Sequence, residues 1–237
     1  MKLRIDKFLA DMGRGSRSEI KEYIRKGLVS VNGAAVKSPS EKADTEHDEV
    51  MLDGIKIEYA VFEYYILNKP AGVITATEDS REKTVLDLID SRRSGLFPVG
   101  RLDRDTEGLL LITNDGQLAH ELLSPRRHVD KTYFVRADGR LTAEHAGLIA
   151  DGLRVDGEFT ALPAKLEITK SGEVSEAFLT VHEGKFHQVK RMMEACGCKV
   201  TYLKRTAMGG LKLPKELAAG EYRALTPEEL FDLKKKL

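Results

Sequence analysis

The segment Gly100-Arg-Leu-Asp-Arg-Asp-Thr-Glu-Gly108 gathers three carboxylates, Asp103, Asp105 and Glu107, immediately before the apolar run Leu109-Leu-Leu-Ile112. A run of that kind reads as a buried strand, and a loop fixed by such a strand is a usual seat for catalytic side chains. A carboxylate held there can act as a nucleophile or take up a proton. Leu102 is placed to anchor the loop in the core and so to hold Asp103. The same residues also suit an ion-paired turn, and composition alone leaves both readings open.

A second polar cluster is Glu183-Gly-Lys-Phe-His-Gln-Val-Lys-Arg-Met-Met-Glu194. Val189, Met192, Met193 and Cys196 fall on one face at helical spacing, while His187, Lys190, Arg191 and Glu194 fall largely elsewhere. The methionines read as core filler. A single histidine beside Gln188 fits a hydrogen-bonding or polyanion contact better than a general base. Cys196 and Cys198 read as buried thiols, because no second ligand pair accompanies them to build a metal site.

The elements around these clusters divide the chain. Ile5, Phe8, Leu9 and Met12 predict a first helix, which Gly13 and Gly15 end. Ser16-Arg-Ser-Glu19 has the form of a capping box and starts a second. That helix turns Ile20, Tyr23 and Ile24 inward and leaves Arg17, Lys21, Arg25 and Lys26 for another face; Gly27 stops it. Val29–Val31 and Ala34–Val36 flank an Asn32-Gly33 hairpin turn. A linker is expected near Glu58–Glu63, dividing residues 1–60 from 61–237. Beyond it, strands are expected at Tyr64–Leu67, Val73–Thr75, Leu109–Ile112, Lys131–Val135 and Ala177–Val181. Helices are expected at Thr84–Ile89, Gln117–Leu123, Ala143–Ala150 and Phe186–Cys196. The class is α+β in two domains, without repeats or low-complexity stretches.

The chain has 237 residues, 41% hydrophobic and 32% charged, enough for a sizeable core without disulfide or metal staples. No apolar run approaches the roughly 20 residues of a membrane span. Met1-Lys-Leu-Arg-Ile5 lacks the apolar stretch of a secretion signal, so a reducing, cytoplasmic setting is expected. The formal net charge is zero, but the signs are segregated. Met1–Lys37 carries a net +5, Ser38–Glu58 a net −5 and Lys185–Lys212 a net +6. Two basic segments suit a polyanionic partner if the fold joins them.

Arg4-Ile-Asp-Lys-Phe-Leu9, Ser16-Arg-Ser18 and Gly27-Leu-Val-Ser-Val-Asn-Gly33 resemble the alpha-L RNA-binding motif. That resemblance implies that Arg4, Arg17, Lys21, Arg25 and Lys26 rest on RNA phosphates, which agrees with cations spaced along one helix. Further motifs follow in order: Asn68-Lys-Pro-x-Gly72, Gly100-Arg-Leu-Asp103 with Thr106-x-Gly108-Leu-Leu-Leu, Lys131-Thr-Tyr133, and Glu183-Gly-Lys-x-His-Gln-Val-Lys-Arg191. Together they resemble the motif set of the RNA pseudouridine synthases, over essentially the whole chain. Ser124-Pro-Arg-Arg-His128 and Gly220-Glu-Tyr-Arg-x-Leu-Thr226 look more like the branch that modifies small-subunit ribosomal RNA than its large-subunit relatives.

The resemblance implies a small N-terminal alpha-L domain and a catalytic domain built on a mixed, mainly antiparallel sheet. It places the nucleophile on Asp103, the aromatic on Tyr133 and the basic partner of the aspartate on Lys190. Arg101 falls where the family fills the space left by a flipped base, and His187, Gln188 and Arg191 are expected at the RNA. The implied reaction breaks the bond from uracil nitrogen to sugar, turns the base and rejoins it through carbon 5, so no cofactor or metal is expected. A carboxylate losing water in a base pocket drifts toward protonation, and a cation such as Lys190 keeps it ionised. The expected partner is small-subunit (16S) ribosomal RNA, within an assembling particle, met by a monomer with no membrane association. The alternatives are a synthase acting on large-subunit (23S) RNA, a non-catalytic RNA-binding assembly factor, and a glycosylase leaving an abasic sugar.

Overall fold

In the computed structural model, which describes residues 1–91, 95–157 and 159–235, two compact units are distinct. One comprises Met1–Glu63 with the described residues of Asp90–Leu96; the other comprises Tyr64–Ile89 and Phe97–Leu237.

In the first unit the order is β1 (Lys2–Arg4), α1 (Ile5–Asp11), α2 (Arg17–Arg25), β2 (Val29–Val31), β3 (Ala34–Ala35), β4 (Lys42–Asp44), β5 (Val50–Leu52) and β6 (Ile55–Ile57). The capping box forms: the Ser16 hydroxyl accepts from the Glu19 amide at 3.3 Å, and the Glu19 carboxylate accepts from the Ser16 amide at 2.7 Å. Ile5, Phe8 and Leu9 of α1 pack with Ile20 and Ile24 of α2 against Val29, Val50 and Ile57. The small sheet runs β3-β2-β5-β6, with β1 and β4 paired apart. Part of the expected linker belongs to this module, because the Tyr59 ring lies 5.1 Å from that of Phe8 and its hydroxyl donates to Asp11 at 2.9 Å.

The second unit contains β7 (Tyr64–Lys69), β8 (Phe97–Pro98), β9 (Glu107–Thr113), α3 (Gly116–Leu123), β10 (Lys131–Asp138), α4 (Ala143–Asp151), β11 (Arg154–Val155) and β12 (Phe159–Thr160). It continues with β13 (Lys165–Lys170), β14 (Val174–Val181), α5 (Gln188–Ala195), β15 (Lys199–Met208), β16 (Leu211–Lys212), β17 (Tyr222–Ala224) and α6 (Pro227–Lys235). The main sheet runs β13-β14-β10-β15-β9-β7-β17, antiparallel except where β15 and β9 run parallel. Leu109 through Ile112 are fully buried, as an unbroken apolar run requires of a central strand. Leu109 and Leu111 pack with Leu118 and Leu122 of α3, whereas Val135 and Leu179 pack with Ile149 of α4 and with Met192 and Met193 of α5. Among the described residues no helix is long and apolar enough to cross a membrane.

Three expectations need correction. Val73–Thr75 forms no strand beyond one bridge from Ile74 to Thr84, because Thr75 is occupied with the Leu102 backbone. Thr84–Ile89 contains a single 3-10 turn, Leu86–Leu88, tied by Thr84 to Asp87. The helix expected from Phe186 starts only at Gln188, since His187 takes a left-handed conformation with φ +48°.

Candidate active site

Lys69, at the end of β7, is fully buried, and the Asp103 loop is built over it. Its ammonium donates to the carbonyls of Pro70, Asp103, Arg104 and Thr106 at 3.0, 3.0, 3.2 and 2.9 Å. The Gly72 amide donates to the Arg104 carbonyl at 2.8 Å, and the Thr106 amide closes the turn onto the Asp103 carbonyl at 3.1 Å. Leu102 is buried as expected, and Thr75 locks its backbone. The Thr75 hydroxyl donates to the Leu102 carbonyl at 2.7 Å and accepts from the Leu102 amide at 3.1 Å. The loop is therefore fixed through its main chain and the buried Leu102 and Thr106, while the Asp105 side chain stays exposed.

The Asp103 carboxylate is about a quarter exposed and meets Lys190, from the first turn of α5, at 3.0 Å. The same ammonium lies 2.7 Å from the exposed Asp105 carboxylate. Burial works to lower the Lys190 ammonium, but the two carboxylates outweigh it and hold it above its ordinary value. The hydrogen bond from Lys190 in turn holds Asp105 below the usual carboxylate range. His187 Nε2 stands 3.6 Å from Asp103 Oδ1. Tyr133 sits on β10 at a register shift against β15, an irregularity that re-aims a side chain. Arg101, Asp103, Thr106, Tyr133, His187 and Lys190 line one open cleft. The carboxylate, cation and aromatic ring singled out from the sequence thus meet in one place.

Two residues expected at the RNA also make bonds within the protein. Gln188 is buried; its amide donates to Glu183 at 2.8 Å and its carbonyl accepts from the Lys185 amide at 3.0 Å. Arg191 is largely buried and grips Asp156 with two hydrogen bonds of 2.6 Å. In the N-terminal unit, Arg4 is paired with Asp6 at 3.0 and 2.7 Å, and Arg25 with Glu22 at 2.7 Å. Lys26 lies 3.6 Å from Glu22, while Arg17 and Lys21 are exposed and enter no ion pair among the described residues. Cys196 and Cys198 are buried free thiols, and burial pushes Cys196 up to about 11, which makes it a poor nucleophile. Sequence reading missed the role of Lys69: its motif was legible, but a lysine closing an apolar strand gives no local sign of burial.

A carboxylate held beside a cation and a half-buried tyrosine, in a cleft at the head of a central strand, defines a site for nucleophilic or proton-transfer chemistry on a flat ring. Residues 63–195 match the RNA pseudouridylate synthase family, and residues 3–50 match the S4 domain. The chain belongs to the RNA pseudouridine synthases, with an S4 RNA-binding domain preceding the catalytic domain. It is 47% identical to the Bacillus subtilis protein described as an uncharacterized RNA pseudouridine synthase, YtzG, over 96% of this chain and 97% of that one. Identity is 40% with ribosomal small subunit pseudouridine synthase A of Yersinia pestis, covering 96% and 97%. It is 39% with ribosomal large subunit pseudouridine synthase B of Bacillus subtilis, covering 96% and 93%. A crystal structure of a pseudouridylate synthase superposes with a TM-score of 0.68 at 37% identity, covering 98% and 99%.

Proposed function

We propose that this synthase converts a specific uridine of small-subunit (16S) ribosomal RNA to pseudouridine, with Asp103 as the attacking carboxylate. The observation that carries the reading is the Asp103–Lys190 pair in a cleft shared with Tyr133. Lys190 sets a cation 3.0 Å from the Asp103 carboxylate, where charge develops as the glycosidic bond breaks. Tyr133 offers a flat face for uracil and a hydroxyl near the proton that must leave carbon 5. The bond from N1 to the anomeric carbon breaks, the bond from C5 to that carbon forms, the C5 proton is lost and N1 gains one. Two routes start from the same carboxylate: capture of the anomeric carbon, or removal of a sugar proton to release an unsaturated sugar. Extruding the base costs a few kcal/mol, which Arg101 offsets at the vacated position while Arg17, Lys21 and Lys26 neutralise phosphates. The protein acts as a cytoplasmic monomer on an assembling small-subunit particle.

The small-subunit assignment draws on the Yersinia pestis relative and on the segments Ser124–His128 and Gly220–Thr226. The Bacillus subtilis large-subunit relative, at 39% identity, favours a second reading in which large-subunit (23S) RNA is the substrate. Tritium release from RNA labelled at C5 of uridine separates the two. Small- and large-subunit transcripts are compared, naked and as particles, with wild type and Asp103→Asn. Release from small-subunit RNA alone, absent in Asp103→Asn, is expected. Release confined to large-subunit RNA would transfer the assignment, and undiminished release by Asp103→Asn would remove Asp103 from the chemistry.

A further inference from the structure

Phe186 is 75% exposed, the most exposed large apolar side chain among the described residues. It belongs to none of the hydrophobic clusters of the core. Its loop is nonetheless firmly held. Gln188 clamps both Glu183 and the Lys185 amide, and Arg191, itself gripped by Asp156, donates to the Phe186 carbonyl at 3.4 Å. Lys185 is turned away onto the Thr160 carbonyl and the Phe159 ring. His187 is held in the left-handed region, a conformation that costs a non-glycine residue about 1–2 kcal/mol. The outcome is a ring aimed at solvent, with one face covered by the His187 imidazole at 3.8 Å and 19° between planes. His187 in turn stands 3.6 Å from Asp103.

We propose that the outer face of Phe186 is a stacking platform for the nucleobase adjoining the target uridine. The inference rests on the RNA pseudouridine synthase reading and adds a substrate subsite to it. When a base is flipped out, its neighbour loses a stacking partner. An aromatic ring standing one residue from the reacting carboxylate replaces that partner whatever the neighbour's identity, because every base presents a π face.

The chain contains no tryptophan, so Phe186→Trp installs a single fluorescent ring at this position. Both ribosomal RNA transcripts are titrated against this variant, with binding followed independently by filter retention, and tritium release is measured for the substitutions. Indole emission is expected to fall by about half or more at saturation. Phe186→Ala is expected to raise KM by about 5- to 100-fold, the loss of one base–aromatic stack, with kcat changed less than about threefold. Phe186→Leu should behave like alanine and Phe186→Trp like wild type. Emission unchanged on saturated RNA, or a leucine variant equal to wild type, overturns the platform. Absence of tritium release by wild type counts against the catalytic reading instead, and leaves the fluorescence result to decide the stack by itself.

Discussion

The buried ammonium of Lys69 donates to the main-chain carbonyl of Asp103 at 3.0 Å, so the proposed nucleophile is positioned by a lysine that never reaches its carboxylate. The carbonyls of Arg104 and Thr106 in the same turn, and that of Pro70 beside Lys69, share that ammonium. Burial pushes Lys69 down to about 8, while the Asp105, Asp103 and Glu107 carboxylates pull the other way. An unfolded lysine titrates near 10.4. Between about pH 8 and 10.4 the unfolded chain therefore binds a proton that the folded chain has released, and folding stability attributable to Lys69 rises with pH by up to about 3 kcal/mol. Below pH 8 the contribution is flat. Activity should move oppositely across the window, because a neutral amine has two N–H groups for four carbonyls. Urea unfolding and turnover from pH 7 to 10.5, each compared with Lys69→Met, test both slopes; parallel stability curves for the two proteins would falsify the account.

Lys190 divides its charge between Asp103 and Asp105, and the two carboxylates should differ in consequence. Replacing Lys190 by Met leaves Asp103 without its cation in the cleft, and a loss in kcat on the order of 10² to 10³ is expected, as when one charge-stabilising donor is removed from an active site. Asp105 is largely exposed, so Asp105→Asn should lower kcat by less than about tenfold. Single-turnover tritium release gives both values, and a larger loss for Asp105→Asn would exchange the roles of the two carboxylates.

What could be read from sequence follows from how local each cause is. The capping box at Ser16 and Glu19, the apolar strand at Leu109–Ile112 and the anchor at Leu102 depend on near neighbours or on unbroken apolar composition, and each formed. Asp103, Tyr133 and Lys190 became legible together through motif order rather than through any one segment. The protein partners of Gln188 and Arg191 were not legible, because polar residues at the start of a helix look like free surface. Asp156, which holds Arg191, lies 35 residues away in the chain. Thr75 looked like strand continuation because its β-branched type favours strands; its hydroxyl instead serves a backbone 27 residues away.

That hydroxyl supports the third prediction. Thr75→Val keeps the shape but removes both hydrogen bonds to the buried Leu102 backbone, leaving an amide and a carbonyl without this partner. Such a loss costs about 1–3 kcal/mol. The loop then loosens beside Asp103, and kcat should fall while RNA affinity is retained. Denaturation midpoints together with filter-binding and turnover measurements check this, and an unchanged midpoint would show that the staple contributes nothing.

Gly108 supplies the last prediction, since it sits where the reactive loop enters the central strand. It pairs with Arg205 across the parallel β9–β15 contact, at φ +103°. A Cβ there would lie 2.2 Å from the Arg205 carbonyl oxygen and 2.8 Å from its amide nitrogen, both backbone atoms that cannot swing aside. Two penalties add: a conformation that side chains rarely adopt, and forced separation of the strands that join β9 to the rest of the sheet. The buried Arg205 guanidinium, which donates to the Leu109 carbonyl at 2.7 Å, would be displaced with them. Gly108→Ala should therefore cost more than about 4 kcal/mol, in the range reserved for gross backbone or core faults. Gly116→Ala is the matched control: it opens α3, and an added Cβ meets nothing within 4 Å. There alanine reduces the freedom of the unfolded chain, and a gain of about 0.4–1 kcal/mol is expected. Urea unfolding of the two variants side by side should show opposite shifts in midpoint, and a similar midpoint for both would mean that the β9–β15 pairing tolerates separation at the base of the site.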